Sequence, residues 1–184
     1  MNTLNIIFII LSILIILAFL SSILYKSNMW KLELTKERLS DAESECLDKF
    51  KTKYDLINEL INYTEKKYKI ESSIFNQVKE LNIDSLDSFK SEKLINKCYK
   101  EIMQIREDNP KIKDTKTLKE LISKYNENEL NIVSLRTYHN KYTLVFNNMI
   151  RKFPYNLISK IKKYGINELI EGRELDNKFN NLEV

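Results

Sequence analysis

Glycine and proline are scarce in this chain, and their scarcity limits the folds that it can adopt. Only two glycines and two prolines occur among 184 residues, whereas an average protein of this length carries about twenty. Sandwiches, barrels and parallel α/β sheets need many tight connections, which these residues normally supply. Neither Gly165 nor Gly172 lies in a phosphate-binding glycine motif. The composition therefore predicts an all-helical protein.

The N-terminal region carries one long apolar stretch. No charged side chain occurs in residues 1–25, and from Ile6 to Tyr25 only three serines interrupt the apolar side chains. Fifteen of these twenty residues are Ile, Leu or Phe, which favours membrane insertion by roughly 5–9 kcal/mol. A helix of this length measures about 30 Å, the thickness of the hydrocarbon core. A cleaved signal peptide is the alternative, but no basic region precedes the stretch and no small-residue cleavage site follows it. We therefore expect a retained transmembrane helix.

The charges beside this stretch predict its orientation. No basic residue precedes it, whereas four follow it closely. They are Lys26, Lys31, Lys36 and Arg38. The positive-inside rule then places the N terminus outside the cell and the rest of the chain in the cytoplasm. The apolar stretch begins at Ile6, and Tyr25 and Trp30 are suited to anchor its other end at the membrane interface.

After residue 26, apolar side chains recur at intervals of three and four residues, the spacing of one helical face. A first seam predicts a helix over about residues 27–80, either separate from the N-terminal stretch or continuous with it. This seam consists of Leu47, Phe50, Tyr54, Ile57, Ile61, Tyr68, Phe75 and Val78. A second helix is predicted over about residues 86–107 and ends at Asn109-Pro110, because the residue before a proline leaves the helical region. Its apolar face consists of Ile95, Cys98, Ile102 and Ile105.

The longest heptad pattern predicts a third helix over about residues 116–152, and a short helix follows over about residues 155–163. The long seam consists of Leu118, Tyr125, Ile132, His139, Phe146 and Phe153. Pro154 ends the long helix because proline cannot continue its hydrogen bonds. Repeated 3-4 spacing on several helices is typical of antiparallel packing at shallow angles. We therefore predict an all-α fold, in which the transmembrane helix is followed by an antiparallel up-and-down bundle of three long helices and a short C-terminal helix.

The chain shows no pattern typical of an enzyme or a metal site. His139 is the only histidine, and the Glu-x-x-His pattern of di-iron bundles fails because residue 136 is an arginine. His139 lies on an apolar seam, so we interpret it as a core residue that is bonded to a buried neighbour. Cys46 and Cys98 belong to no metal-binding motif and are interpreted as reduced, buried thiols. We therefore expect no catalytic residue, no cofactor and no metal.

Basic residues are concentrated between residues 130 and 167. Seven lysines and arginines occur there without one acidic residue, while the whole chain carries a net charge of only +4. This total is too small for a strongly basic nucleic-acid binder. The basic stretch suits anionic lipid or an acidic partner. Because its residues fall on several faces of two helices, we interpret it as a solvated surface and keep the binding of anionic lipid or an acidic partner as the alternative.

Four short motifs occur in order along the chain. They are Tyr54-Asp55-Leu56-Ile57 with Leu60, then Pro110 with Ile112 and Lys113, then Glu129 and Arg136, and finally FNNMIRKFPYNLI from Phe146 to Ile158, which contains Asn147, Phe153, Pro154 and Asn156. Together they resemble the motifs of the LemA family, and the last one is the most specific. The resemblance extends from the apolar stretch to about residue 164. Two positions depart from the family pattern, since Asn58 replaces a usual proline and Lys163 replaces a usual glycine.

The resemblance implies a membrane-anchored antiparallel bundle without an established enzymatic activity. Family members often sit beside genes for membrane zinc metalloproteases. We therefore expect a transmembrane anchor over residues 1–25, a cytoplasmic helical bundle over residues 26–164 and a C-terminal tail over residues 165–184. The predicted function is a single-pass scaffold or partner-binding protein of the cell membrane, which contacts the bilayer through residues 6–25. Candidate partners are a membrane protease, as the alternative role of an accessory factor, and a second copy of the chain.

The lengths of the predicted helices do not match. The second helix is about 33 Å long and the third about 55 Å. The end of the third helix, with Phe146 and Phe153, therefore extends past its predecessor and carries too much apolar surface to leave in water. We expect this end to pack on the far part of the first helix or to contact another subunit or partner. We also expect Asn156 to cap the helix that follows Pro154.

Overall fold

A computed structural model describes residues 3–84, 90–110 and 116–170, with side chains from residue 5 onwards. Within these ranges the chain forms five helices and no strand. The helices are α1 (Thr3–Tyr68), α2 (Ser73–Lys79), α3 (Glu92–Asp108), α4 (Lys116–Arg151) and α5 (Tyr155–Lys162). The all-helical prediction is confirmed, and the predicted third and fourth helices agree with α4 and α5 to within one residue. Ile112, Lys113, Gly172 and the predicted tail after residue 170 lie outside the described residues.

The prediction of one helix over about residues 27–80 is wrong, because the structure has two helices there, with a break after Tyr68. α1 runs without a break from the apolar stretch to Tyr68, where Lys69 turns into the left-handed region with φ 55°. Ser72 then begins α2, and its side chain accepts a hydrogen bond from the Ile74 N–H. The heptad pattern continued across this break because Phe75 on α2 is buried in the same core as the end of α1. A serine at the N-cap was the sequence signal that the periodicity concealed.

The apolar N-terminal part of α1 is exposed along its length. Every side chain from residue 5 to residue 27 is accessible. By length and composition, α1 is the one helix among the described residues that is apolar and long enough to cross a membrane. Ile6, Tyr25 and Trp30, the residues predicted at the ends of the span, are all exposed.

The described residues form two compact units, and α1 and α4 contribute to both. The first unit takes its residues from 3–40 and 141–168, and the second from 41–140 and 169–170. The predicted anchor, bundle and tail were defined by their relation to the membrane, which these two units do not test. That division stays a prediction.

The core of the second unit is built mainly from the predicted seams. Its buried residues are Cys46, Phe50, Ile57, Leu60, Ile61, Phe75, Val78, Ile83, Ile95, Cys98, Ile102, Leu118, Tyr125, Ile132 and Ile170. The seam residues Tyr54, Tyr68 and Ile105 pack against this core and are half-buried. The heptad spacing therefore identified the face that each helix buries.

The first unit has a smaller core at the far end of α4. Phe146, Ile150 and Ile158 pack on Leu32 of α1. The end of the long helix thus packs on the first helix, as one of the two predicted alternatives stated. Phe153 does not belong to this core and is 78% exposed. Its assignment to the seam is wrong because α4 ends at residue 151, and the heptad register ends with it.

α5 ends at a lysine in the left-handed conformation. Lys163 has φ 55° and ψ 38°, and the Tyr164 N–H donates to the Ser159 carbonyl oxygen at 2.9 Å. This geometry is that of a helix C-terminus at which glycine is preferred. A residue with a Cβ pays about 1–2 kcal/mol for the same conformation. The backbone at Lys163 therefore favours a glycine, the residue that the resemblance implies at this position.

We predict that Lys163→Gly raises the free energy of unfolding by about 1 kcal/mol, because it removes the Cβ strain. Lys160→Gly is the matched control, since Lys160 lies inside α5 and glycine there costs about 1 kcal/mol. Urea unfolding of the full chain in detergent measures both changes. Destabilisation by both variants would contradict the conformational explanation.

Candidate functional site

Four charged side chains meet inside the second unit. The Lys53 ammonium lies 3.1 Å from Glu92 Oε1 and also contacts a carboxylate oxygen of Glu129. Arg136 Nη2 donates to both carboxylate oxygens of Glu92 at 3.0 Å. Lys53, Glu92 and Arg136 are buried, and Glu129 is half-buried. We call these four residues the charge cluster.

Three helices supply the charge cluster. Lys53 comes from α1, Glu92 from the first turn of α3, and Glu129 and Arg136 from α4. Lys53 lies three residues after Phe50 and four before Ile57, so it has the spacing of the apolar seam. Arg136 lies four residues after Ile132 and has the same spacing. Helical periodicity therefore points both cations into the core.

The sequence analysis singled out two of the four residues of the charge cluster. Glu129 and Arg136 were recognised as family motif residues, and the structure brings them into one network. Lys53 and Glu92 were missed because only apolar residues were assigned to the seams. A lysine at seam spacing was the available signal, since an unpaired lysine is almost never fully buried.

Two tyrosines cover the charge cluster. The Tyr125 ring lies 5.8 Å from the Lys53 ammonium and stacks on Tyr99 with ring centroids 4.2 Å apart. Burial raises the pKa of Tyr125, and the Glu129 carboxylate raises it further. The Tyr99 hydroxyl donates to Asn126 Oδ1 at 2.9 Å. Tyr125 therefore stays protonated and contributes its ring as an apolar wall.

The charge cluster balances two cations with two carboxylates. Each charged group within it already contacts an oppositely charged partner. A catalytic acid or base instead needs a group that is free to exchange a proton with a substrate. A buried ion pair adds little net stability, and in some proteins such pairs specify how elements pack. The geometry favours a role in fixing the register of α1, α3 and α4 within this unit.

The two thiols lie in the same core. Cys46 and Cys98 are fully buried. Burial raises the pKa of Cys46 to about 11 and that of Cys98 to about 12. Thiols with such pKa values are poor nucleophiles and poor ligands at neutral pH. Among the described residues, no group of three or more His, Cys, Asp and Glu side chains is placed to hold a metal ion.

Two asparagines on α4 hold the backbone that follows α5. In the second unit, Asn140 donates to the Ile170 carbonyl oxygen at 3.0 Å and accepts from the Ile170 N–H at 2.9 Å. In the first unit, Asn147 donates to the Asn167 carbonyl oxygen at 2.8 Å and accepts from the Asn167 N–H at 3.0 Å. Each side-chain amide therefore binds both the N–H and the C=O group of one residue, as the backbone of a neighbouring β-strand does. Asn147, a residue of the last motif, thus has a structural role in this chain.

His139 is a buried core residue, as predicted. Its Nδ1 lies 3.2 Å from Asn140 Oδ1, an oxygen whose position is fixed by the Ile170 N–H. An amide oxygen only accepts hydrogen bonds, so Nδ1 carries the proton in the neutral ring. Burial lowers the pKa of His139, while the bond to Asn140 and the charge of Glu43 oppose this change. The histidine is thus neutral at pH 7.

The lowered pKa predicts a pH dependence of stability. The unfolded chain binds a proton at His139 below about pH 6.5, whereas the folded chain resists it, so stability falls as the pH drops below 6.5. His139→Leu removes this contribution, and its stability should stay near that of the parent above pH 7. Thermal unfolding at several pH values between 5 and 8 measures the difference. An unchanged difference between the two proteins over this range would contradict a neutral buried histidine.

The remaining motif residues have separate structural roles. The Tyr54 hydroxyl donates to the Lys79 carbonyl oxygen at 3.0 Å and so joins α1 to α2. Ile57 is buried, Leu56 packs against the core and Asp55 is exposed. Phe146 packs on Tyr164, with ring centroids 6.0 Å apart.

The predicted capping role of Asn156 is wrong. Pro154 occupies the N-cap of α5, and no side chain caps this helix. Asn156 is instead the second residue of α5, and its backbone N–H donates to the Lys152 carbonyl oxygen at 2.9 Å. The helix begins two residues too early for Asn156 to occupy its N-cap.

These features define an all-helical protein in which the N-terminal helix is long and apolar enough to cross a membrane, and in which a neutralised charge cluster lies in the core. The sequence profile of the LemA family matches residues 42–181, which is most of the chain. The chain therefore belongs to the LemA family. The matched range begins after the apolar N-terminal stretch. No curated protein matches the chain.

Proposed function

We propose that this protein is a single-pass membrane protein whose cytoplasmic helices form a scaffold for a protein partner. The observation that carries the proposal is the apolar start of α1. Its side chains are exposed from residue 5 to residue 27, and water is a poor solvent for a surface of this extent. A span of twenty helical residues matches the bilayer core of about 30 Å.

The helical part is proposed to be an antiparallel up-and-down bundle. Support comes from the repeated 3-4 spacing and from core residues that α1, α3 and α4 share in the second unit. The charge cluster gives further support, because its ion pairs connect the same three helices. Mispairing of these helices would leave a buried charge without its partner, which disfavours other registers.

The proposed orientation places the N terminus outside and the bundle in the cytoplasm. The basic residues that follow the apolar stretch support it, since cytoplasmic flanks carry an excess of lysine and arginine. The exposed aromatic ring of Trp30 lies just after the span, and it supports the position of this membrane boundary, because aromatic residues are enriched at both interfaces.

A scaffold role is favoured over an enzymatic one. The charges of the charge cluster are neutralised by its own ion pairs, and both thiols have raised pKa values. Exposed apolar side chains do occur on α4, among them Leu130 and Tyr138. Such side chains are suited to contact another protein, and a membrane protease or a second copy of this chain is the proposed partner.

Alkaline extraction of native membranes tests the anchor. Full-length protein should stay in the membrane pellet, because an inserted helix resists high pH, whereas a chain that lacks residues 6–25 should be released. Release of the full chain would contradict the proposal. Recovery of a shortened soluble product would support a cleaved signal peptide instead.

Site-specific crosslinking in native membranes tests the partner. A photoreactive amino acid at Leu130, which is 71% exposed, should give a discrete adduct whose mass identifies the partner. The same amino acid at exposed Lys124 on α4 is the control for random collision. Adducts of equal yield at both positions, or none at Leu130, would contradict a scaffold role for this face.

A further inference from the structure

The corner between α4 and α5 exposes three apolar side chains on one side. Phe153 is 78% exposed, Leu157 51% and Ile161 68%. Leu157 and Ile161 are four residues apart on α5, and this spacing places them on the same side of the helix. Phe153 lies in the turn before α5 and lines the same groove as Leu157. The opposite side of α5 is already occupied, because Ile158 packs on Leu32 in the core of the first unit. α5 is therefore apolar both toward its own core and toward the outside.

This corner lies beside the end of the apolar stretch. Phe153, Pro154 and Leu157 line one groove together with the last turns of that stretch. The residues of α1 that line the groove are Ser21, Ser22, Leu24, Tyr25 and Asn28. An ion pair at 3.2 Å between Lys162 and Glu33 joins α5 to the next turns of α1. If residues 6–25 cross the bilayer, the exposed side of the corner lies at the level of the membrane surface.

The charges around the corner are mostly positive. Residues 141–168 contain six lysines and arginines and one acidic residue, Glu168. Arg151, Lys152 and Lys160 are exposed close to the apolar side chains. Glu33 of α1 faces this region, but it is paired with Lys162. The corner thus combines exposed apolar side chains with a cationic rim.

We infer that the α4–α5 corner docks on the bilayer that holds residues 6–25. Phe153, Leu157 and Ile161 enter the boundary between headgroups and acyl chains, and the basic rim contacts anionic phospholipid. Interfacial helices bind membranes through the same combination of apolar and basic side chains. The inference rests on the proposed membrane anchor, and it adds a second contact with the cytoplasmic leaflet.

Three observations favour a lipid surface over a protein partner. The apolar side chains continue directly from the apolar stretch through their shared groove. The rim is cationic, which matches the anionic cytoplasmic leaflet. The apolar patch has three side chains, one in the turn before α5 and two on this helix of eight residues, whereas a stable protein interface needs roughly 800 Å² from each partner. The bilayer can complete this contact because the span already holds the chain at its surface.

A single tryptophan can report the docking. Trp30 is the only tryptophan, so Trp30→Phe combined with Phe153→Trp places the one indole at the corner of the full chain. The protein is reconstituted into vesicles of phosphatidylcholine with 30% phosphatidylglycerol, a composition chosen for the test, and lipids brominated near the top of the acyl chain serve as quenchers. We expect blue-shifted emission and at least twofold quenching by the brominated lipid.

The matched control places the indole on α4, far from its C-terminal end. Trp30→Phe with Leu130→Trp puts it at another strongly exposed apolar position. Residue 130 lies twenty-one residues before the end of α4, about 32 Å along the helix axis. We expect emission as in water and no quenching by the brominated lipid at this position.

Charge variants test the basic rim. Lys152→Glu with Lys160→Glu should reduce the quenching at residue 153 in vesicles with phosphatidylglycerol by at least half. Lys97→Glu with Lys124→Glu changes the net charge equally at exposed positions of α3 and α4 and should leave the quenching unchanged. A high salt concentration should act like the first pair, because it screens surface charges.

Two results would overturn the docking. The first is an indole at residue 153 that stays water-exposed in a chain whose span resists alkaline extraction. The second is an indole that is shielded from aqueous acrylamide but not quenched by brominated lipid, which would assign the corner to a second copy of the chain. Release of the chain by alkali would overturn the anchor itself, so extraction and quenching separate the failure of the two proposals.

Discussion

Glu92→Gln should lower the free energy of unfolding by about 3–5 kcal/mol, because it leaves buried cations without their carboxylate. Glu92 accepts hydrogen bonds from both Lys53 and Arg136. The glutamine has nearly the same volume, so the loss reports charge and hydrogen bonding rather than a cavity. Urea unfolding of the full chain in detergent, followed by circular dichroism, measures the change.

Two further variants make this prediction specific. Glu107→Gln on α3 is the matched control, because Glu107 is exposed and its neutralisation should cost less than about 0.5 kcal/mol. Replacing the charge cluster together, as Lys53→Met, Glu92→Leu, Glu129→Gln and Arg136→Met, should recover most of the stability, since apolar residues often substitute for a buried ionic network. A single variant with the stability of the parent would show that the charges are not buried in the protein.

Phe146→Ala should cost about 3–5 kcal/mol through the loss of a buried ring and the cavity that it leaves. Phe146 is 1% exposed, packs with Leu32 of α1 and contacts the Tyr164 ring. Among the described residues, the other buried members of this core are Leu32, Ile150 and Ile158, which are all smaller than the lost ring. The same unfolding measurement gives the size of the loss.

Phe153→Ala is the control for this second prediction, because the same side chain is removed from an exposed position seven residues later. Its effect in detergent should stay near 0.5 kcal/mol. Equal losses from the two variants would contradict the finding that the long seam ends with α4.

The sequence predicted the helices well because helical periodicity is a local property. The ends of α4 and α5 and most buried seam residues followed from spacing and from Pro154. The break between α1 and α2 was missed because Phe75 keeps its seam position across it, and tertiary contacts with the core preserve that position. Ser72 carried the only local signal.

The candidate site was less accessible to sequence reasoning. Lys53 and Glu92 form their ion pair across 39 residues of sequence, and no local rule specifies such a pairing. The roles of Asn140 and Asn147 depend on a backbone segment that lies far along the chain. Phe153 is exposed, although it continues the heptad spacing, because α4 ends two residues before it. These features depend on tertiary structure, which periodicity does not encode.

Thiol labelling at the two ends of the apolar stretch tests the central claim most directly, because the claim is a single span with the helical scaffold in the cytoplasm. A membrane-impermeant maleimide is applied to intact and to permeabilised cells that carry Thr3→Cys or Ser27→Cys. The parent chain is the control, since both of its thiols are buried with raised pKa values. We predict labelling of the cysteine at residue 3 in intact cells, and of the cysteine at residue 27 only after permeabilisation. Labelling at residue 27 in intact cells would reverse the orientation, and protection of both residues in intact cells would contradict the span.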